Sequence, residues 1–114
     1  MKIKASELSG WQLGWAVAKA EDLQIRLLNN ETEMILPNGD WWYPAEAWDQ
    51  AGSIIEREGI DLKRITDSLW EAEINANDYH NRKNGPTPLI AAMRCFVASR
   101  LGDEVEVPEE LMEV

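Results

Sequence analysis

The strongest constraint on the fold of this chain is an apolar segment near the C-terminus whose two ends are both marked. Thr87 can accept a backbone hydrogen bond as N-cap, and Pro88 suits the first helical position, where its missing N–H would be unpaired anyway. Arg100 suits the last turn, and Gly102 can adopt the left-handed conformation that ends a helix. The sequence therefore predicts a helix bounded by Thr87 and Gly102.

This helix is apolar on nearly every side. Its larger side chains recur at steps of three and four residues: Leu89, Met93, Phe96, Val97 and Leu101. A second helix is predicted from Gly10 to about Asp22, where almost every face except those of Gln12 and Lys19 is apolar. We expect both helices to be buried.

Shorter segments predict strands and turns. Residues 1–5 alternate between apolar and basic, and residues 24–28 and 33–36 are typical of an antiparallel hairpin. Pro37–Asp40 is a turn by composition. Residues 69–74 alternate loosely, as in a strand.

The other segments are less regular. Residues 41–52 predict an ordered aromatic loop, with a short helical turn near residues 45–48. Residues 53–58 predict a strand or an extended segment, residues 62–65 are too short to assign, and residues 75–84 predict a polar surface loop.

The expected fold class is α+β, with two buried helices packed on a small antiparallel sheet. Residues 1–102 are expected to form a single α+β domain, and residues 103–114 an acidic C-terminal tail. Helices this apolar in a short chain also favour a homodimer or a higher oligomer.

The charge distribution argues against direct nucleic-acid binding. The net charge is −10, and six of the 21 acidic residues lie in residues 103–114, which contain no basic residue. The 11 basic residues are dispersed rather than clustered. The tail is expected to serve solubility, with an acidic DNA mimic as the alternative.

Six tryptophans in 114 residues are many more than usual. The helical spacing of Trp11 and Trp15 indicates core packing. The aromatics Trp41, Trp42, Tyr43 and Trp48 lie on a nonperiodic segment, where their rings could pack in the core or stack on a ligand or partner.

Two arginines are candidates for ligand binding. Arg57 and Gln50 could present donors to a polar or anionic ligand beside Trp48, or Arg57 could lie on a solvated strand edge. Arg94 could extend to solvent, pair with a carboxylate, or form an anion-attracting corner with the helix start at Thr87.

Catalysis is not expected. The single histidine, His80, lies near Asp78 in a polar segment without a nucleophile arrangement, and one histidine with one cysteine cannot build a typical transition-metal site. No cofactor motif is present. The lone Cys95 and the absence of a signal peptide or membrane-spanning run favour the reducing cytoplasm.

Three segments carry a family resemblance: residues 85–102, Trp11–Glu21 and Trp48–Glu58. Together they resemble the small phage proteins typified by the NinX protein of lambdoid phages, and the likeness extends over most of the chain. The resemblance implies an accessory phage protein that is not part of the particle. It implies no reaction. The expected location of the protein, from the cysteine usage and the lack of a signal peptide or membrane span, is the host cytoplasm.

The leading functional hypothesis is therefore a non-enzymatic protein that sequesters a small nucleotide-like host molecule, such as a defence signal, without a metal or cofactor. Its candidate ligand-binding residues are Tyr43, Trp48, Gln50, Arg57, Thr87 and Arg94. The alternative is an interaction protein that inhibits a host enzyme, through exposed aromatics or as a DNA mimic.

Overall fold

A computed structural model describes residues 1–28, 33–76 and 79–108. Its elements, in chain order, are β1 (Lys2–Lys4), a 3-10 turn (Ala5–Glu7), α1 (Gly10–Ala20), β2 (Arg26–Leu28), β3 (Glu33–Ile35), α2 (Trp48–Glu58), β4 (Asp61–Thr66), β5 (Leu69–Ala76), β6 (Tyr79–Gly85), α3 (Pro88–Leu101) and β7 (Glu104–Glu106).

Every strand pairing among the described residues is antiparallel. β4, β5 and β6 form a three-stranded sheet with β5 in the middle, while β1 pairs with β7 and β2 pairs with β3. The α+β class is confirmed. The predicted count is corrected, because the described residues form three α-helices and three small sheets rather than two helices and one sheet.

Helix α3 has the ends that the sequence predicts. The Thr87 hydroxyl accepts a hydrogen bond from the Ile90 N–H at 3.2 Å, Pro88 is the first helical residue, and Gly102 follows the last turn with a φ of 94°. The helix contacts β5, β6 and α1. Its buried side chains are Leu89, Ala91, Ala92, Met93, Cys95, Phe96, Val97 and Ala98.

The backbones of β6 and α3 come very close. A Cβ at Gly85 would lie 2.7 Å from the Ala91 nitrogen. Nearby, the Asn81 amide donates to the Cys95 carbonyl at 3.1 Å, and the Cys95 thiol donates to the Asn81 carbonyl at 3.3 Å. Cys95 is buried and free, as expected, and its burial raises the pKa of the thiol to about 11.

The structure corrects the prediction for residues 48–58. They form α2, so the expected loop ends before Trp48 and the expected extended segment at residues 53–58 is helical. Ala51 and Ile54 are buried at a helical spacing, and Gly59 ends the helix with a φ of 64°. Because only these two residues mark the buried face, the sequence pattern of α2 resembles that of a short strand.

The structure also corrects the polar loop predicted over residues 75–84. Apart from residues 77–78, which lie outside the described residues, this segment completes β5 and forms β6. Its polar composition is compatible with a strand because Asn81 is buried but bonded to α3, while Arg82 is exposed and bonded to Glu73.

The other strand predictions agree with the structure. β2 and β3 form the predicted hairpin, although its connection at residues 29–32 lies outside the described residues, and Pro37–Asp40 forms the predicted turn. The unassigned segment at residues 62–65 lies in β4. Within the predicted tail, residues 104–106 form β7 and Val107 is buried.

The close contact at Gly85 yields a stability prediction. We expect Gly85→Ala to lower the free energy of unfolding by about 1–3 kcal/mol, because the added methyl overlaps backbone that cannot move independently. Gly52→Ala is the matched control, since Gly52 is inside α2 and, apart from its own helix backbone and chain neighbours, nothing lies within 4 Å of that Cβ position. It should raise stability by about 0.5–1 kcal/mol. Urea unfolding measures both, and equal effects would contradict the close packing.

Candidate functional site

Trp42 anchors residues 41–46, which we call the aromatic segment, to the core. Its indole N–H donates to the Gly14 carbonyl of α1 at 2.8 Å, and its backbone N–H donates to the Met34 carbonyl of β3 at 2.9 Å. Only 8% of Trp42 is exposed, whereas its neighbours Trp41 and Tyr43 are 46% and 48% exposed. Since successive side chains of extended backbone point to opposite sides, burial of Trp42 directs the two neighbouring rings outward.

Gln50 holds the same segment from the other side. From the first turn of α2, its side-chain oxygen accepts the Tyr43 N–H at 2.7 Å, and its amide nitrogen donates to the Trp41 carbonyl. A β-bridge between Ile35 and Trp41 adds a third attachment. The exposed rings therefore extend from backbone that is held at several points.

A cleft of about 350 Å³ lies between this segment and the start of α1. We call it the aromatic cleft and define it by its lining residues: Gly10, Trp11, Gly14, Glu33, Met34, Trp41, Trp42, Tyr43, Pro44, Ala45 and Glu46. Its volume is in the range of small-molecule pockets, and its walls are mostly apolar. Trp11 both packs against the core, as predicted, and lines this cleft.

The charges at the aromatic cleft have one sign. Glu33 and Glu46 are exposed lining residues, and the lining contains no basic side chain. Within the described ranges, neither carboxylate forms an ion pair with a lysine or arginine. The cleft therefore presents aromatic faces beside unpaired carboxylates.

Three of the predicted ligand-binding residues lie at or near this cleft. Tyr43 is part of its wall, and Gln50 is bonded to the wall's backbone. Trp48 begins α2 and is 57% exposed, but it is not a lining residue. Gln50 therefore supports the cleft, since its side-chain oxygen and nitrogen both form hydrogen bonds with the backbone of the aromatic segment.

Arg57 lies elsewhere. It is nine residues after Trp48 on α2, about 13 Å along the axis, and its guanidinium pairs with Glu21 and Glu58. Hydrogen bonds to Glu21 and then Glu58 raise the pKa of Arg57. Arg57 and Arg100 both lie near the Phe96 ring, 5.7 and 5.2 Å from its centroid. This arrangement joins α1, α2 and α3.

Arg94 and Thr87 are not lining residues of the cleft either. The Arg94 guanidinium donates to the carbonyls of Leu8 at 2.7 Å and Asn84 at 2.9 Å, so its described bonds join α3 to two other segments. Burial lowers the pKa of Arg94. The Thr87 hydroxyl caps α3. The six predicted residues are therefore not brought together in one site.

Trp11, Glu33 and Glu46 are residues of the candidate site that the sequence did not predict. The sequence does contain a signal for Glu33 and Glu46: no lysine, arginine or histidine occurs between Arg26 and Arg57. Six acidic residues occur in that interval: Glu31, Glu33, Asp40, Glu46, Asp49 and Glu56. The contribution of Trp11 depends on contacts between distant segments and has no comparable local signal.

Among the described residues, no group of three or more His, Cys, Asp or Glu side chains is placed to hold a metal ion. No helix within the same residues is long and apolar enough to cross a membrane.

Comparison with known proteins gives one result for the family. A family model described as Bacteriophage P22, NinX, matches residues 4–100. That match includes α1, α2 and α3 except for the last residue of α3, together with the whole aromatic cleft. No curated protein matches the chain.

The bonds of Gln50 yield a prediction about local order. Gln50→Ala removes both side-chain bonds to the aromatic segment, so hydrogen exchange at the Tyr43 amide should become about three- to tenfold faster. The Trp42 amide, which donates to Met34, should change less. Ser53→Ala, at an exposed position of α2, is the control. Unchanged exchange at Tyr43 would show that Gln50 does not hold the segment.

Proposed function

We propose that this chain, which belongs to the phage P22 NinX family, is a non-enzymatic accessory protein that acts by binding a host protein through the aromatic cleft. Inhibition of a host enzyme is the expected consequence. The exposure of Trp41 and Tyr43 on anchored backbone beside this cleft is the observation that carries the proposal.

Exposed aromatics of this kind suit a protein interface. Tryptophan and tyrosine are enriched among the residues that dominate binding energies, because they bury a large area with few rotatable bonds. The backbone of Trp41 and Tyr43 is held by Gln50, so little conformational entropy would be lost there on binding. Trp48, exposed on α2, would extend the same interface.

A small nucleotide-like host molecule, including a defence signal, is the second candidate ligand. The volume of about 350 Å³ and the aromatic walls favour it, because a nucleobase could stack there. Its phosphates would be repelled by Glu33 and Glu46 unless they pointed away from the cleft. A protein partner is free of this restriction, so we place it first.

The absence of an enzymatic reaction is part of the proposal. The Cys95 thiol is buried with a raised pKa, which makes it a poor nucleophile. Asp78, which could have paired with His80, lies outside the described residues. The cleft is lined by aromatic, apolar and carboxylate side chains, which are sufficient for binding without a reaction.

The proposal also covers the structural support of the cleft, the location of the protein and its self-association. Helices α1 and α3, packed with the antiparallel sheet, would serve as the rigid buried support of the cleft. We place the protein in the host cytoplasm, where an unpaired cysteine is stable, and include self-association as a homo-oligomer. A DNA mimic remains a form of the same proposal, with the exposed carboxylates bound by a nucleic-acid-binding enzyme.

Site-specific photo-crosslinking tests the proposal. We expect a photoreactive phenylalanine analogue at Tyr43 to yield a discrete adduct with a host protein in lysate of infected cells. The same analogue at Ile65 is the matched control, because Ile65 is 44% exposed and lies on β4, which contributes no lining residue to the cleft. Trp41→Ala should reduce the Tyr43 adduct about tenfold or more, as expected for loss of a dominant interface residue.

Equal labelling from both positions, or no adduct from either, would contradict binding of a host protein at this cleft. The second candidate is tested with nucleotides, cyclic nucleotides and ADP-ribose derivatives. A saturable change in tryptophan fluorescence that is lost in a folded Trp41→Ala variant would favour the small ligand instead.

A further inference from the structure

In the described part of the chain, some carboxylates have a basic partner, whereas others, including Glu7, Asp61 and those near the aromatic cleft, have none. Away from the cleft, Glu21 and Glu58 pair with Arg57, and Glu71 and Glu73 pair with Arg82. These acidic residues are matched by basic residues of the same chain.

At the cleft this matching is missing. Glu33 and Glu46 have no basic partner in the described ranges, and neither does Asp49, which follows Trp48 at the start of α2. The interval between Arg26 and Arg57 contains no base that could supply one locally. A binding partner that contributes positive charge would complete the pairing that this surface lacks.

The aromatic rings favour the same sign of charge. The faces of tryptophan and tyrosine rings are electron-rich and attract cations, and arginine is the cation found most often in such contacts. A guanidinium can also stack on a ring while donating two hydrogen bonds to one carboxylate, which a lysine ammonium cannot do. Trp11, Trp41 and Tyr43 lie with Glu33 and Glu46 around a single cleft, so both contacts are available there.

Other occupants fit this chemistry less well. A phosphate-bearing ligand would be repelled by the carboxylates, and a purely apolar segment would bury the carboxylates of Glu33 and Glu46 without compensation. The combination of aromatic rings and unpaired carboxylates in one cleft thus favours a cationic occupant.

We infer that the aromatic cleft binds an arginine-bearing segment of its protein partner, with the guanidinium stacked on Trp41 and paired with Glu33 or Glu46. This inference rests on the proposed function and names the chemistry of the partner. The apolar part of the arginine stem and its neighbouring residues would contact Trp11 and Tyr43.

The probe for this inference is acetyl-leucyl-arginyl-leucine amide, compared with the same peptide carrying citrulline, the neutral isostere of arginine. Binding is followed by NMR through the indole N–H of Trp41, assigned with Trp41→Phe, and the backbone N–H of Tyr43. We expect saturable shifts with the arginine peptide and at least about fivefold weaker binding of the citrulline peptide. A lysine peptide should be intermediate.

Matched charge variants locate the interaction. Glu33→Gln and Glu46→Gln should each weaken binding of the arginine peptide about two- to threefold, as expected for a partly exposed ion pair. Glu56→Gln makes the same charge change at an exposed position of α2 outside the cleft lining, and should leave the affinity unchanged. This control separates local pairing from general attraction to the acidic protein.

Equal affinity for the arginine and citrulline peptides would overturn the inference, and so would equal effects of the three charge variants. Either result would leave the proposed function standing if the Tyr43 crosslink still captures a host protein. Loss of the Tyr43 crosslink while arginine selectivity persists would instead contradict the proposed function alone.

Discussion

The burial of α3 is the constraint on which the other elements depend. A helix with eight buried residues needs neighbouring backbone close by, and β6 approaches it so closely at Gly85 that even a Cβ would collide with the Ala91 nitrogen. Polar groups on β6 are satisfied at the same contact, where Asn81 and Cys95 exchange hydrogen bonds. Arg94 extends this attachment by donating to the carbonyls of Leu8 and Asn84. One apolar helix thereby fixes the positions of the segments before α1 and at the end of β6.

The aromatic cleft depends on a comparable anchor at a smaller scale. Burial of Trp42 between α1 and β3, with its indole bonded to Gly14, leaves the adjacent Trp41 and Tyr43 on the outer side. Of two adjacent tryptophans, Trp42 therefore packs in the core and Trp41 lies at the surface. This follows because successive side chains of extended backbone point in opposite directions. The charges follow a similar division. Glu21, Glu58, Glu71 and Glu73 are paired with arginines, whereas Glu33 and Glu46 have no basic partner among the described residues.

Local sequence signals predicted some elements and failed for others, for identifiable reasons. α3 was predicted with both ends, because its cap, its proline and its terminating glycine act within a few residues of each other. The stripe of Ala51 and Ile54 in α2 is too narrow to exclude a strand when read alone, and the terminating Gly59 lies several residues beyond it. β6 was predicted as a loop because it is polar, yet its backbone is paired with β5 and its buried Asn81 is bonded by α3. Strand β5 and the Cys95 carbonyl, which supply these hydrogen bonds, both lie outside β6.

The sequence by itself determined the α+β class, α3 with its caps, α1, the β2–β3 hairpin, the burial of Cys95 and membership of the phage family. It also indicated that the aromatics of residues 41–48 matter, without dividing them between core and surface. Only the tertiary structure made that division, placed Trp11 beside Trp41 and Tyr43, and separated Arg57 and Arg94 from the cleft. The reason is physical: caps and periodicity act between near neighbours in the chain, whereas a cleft and the pairing of its charges depend on segments that meet only when the core is packed.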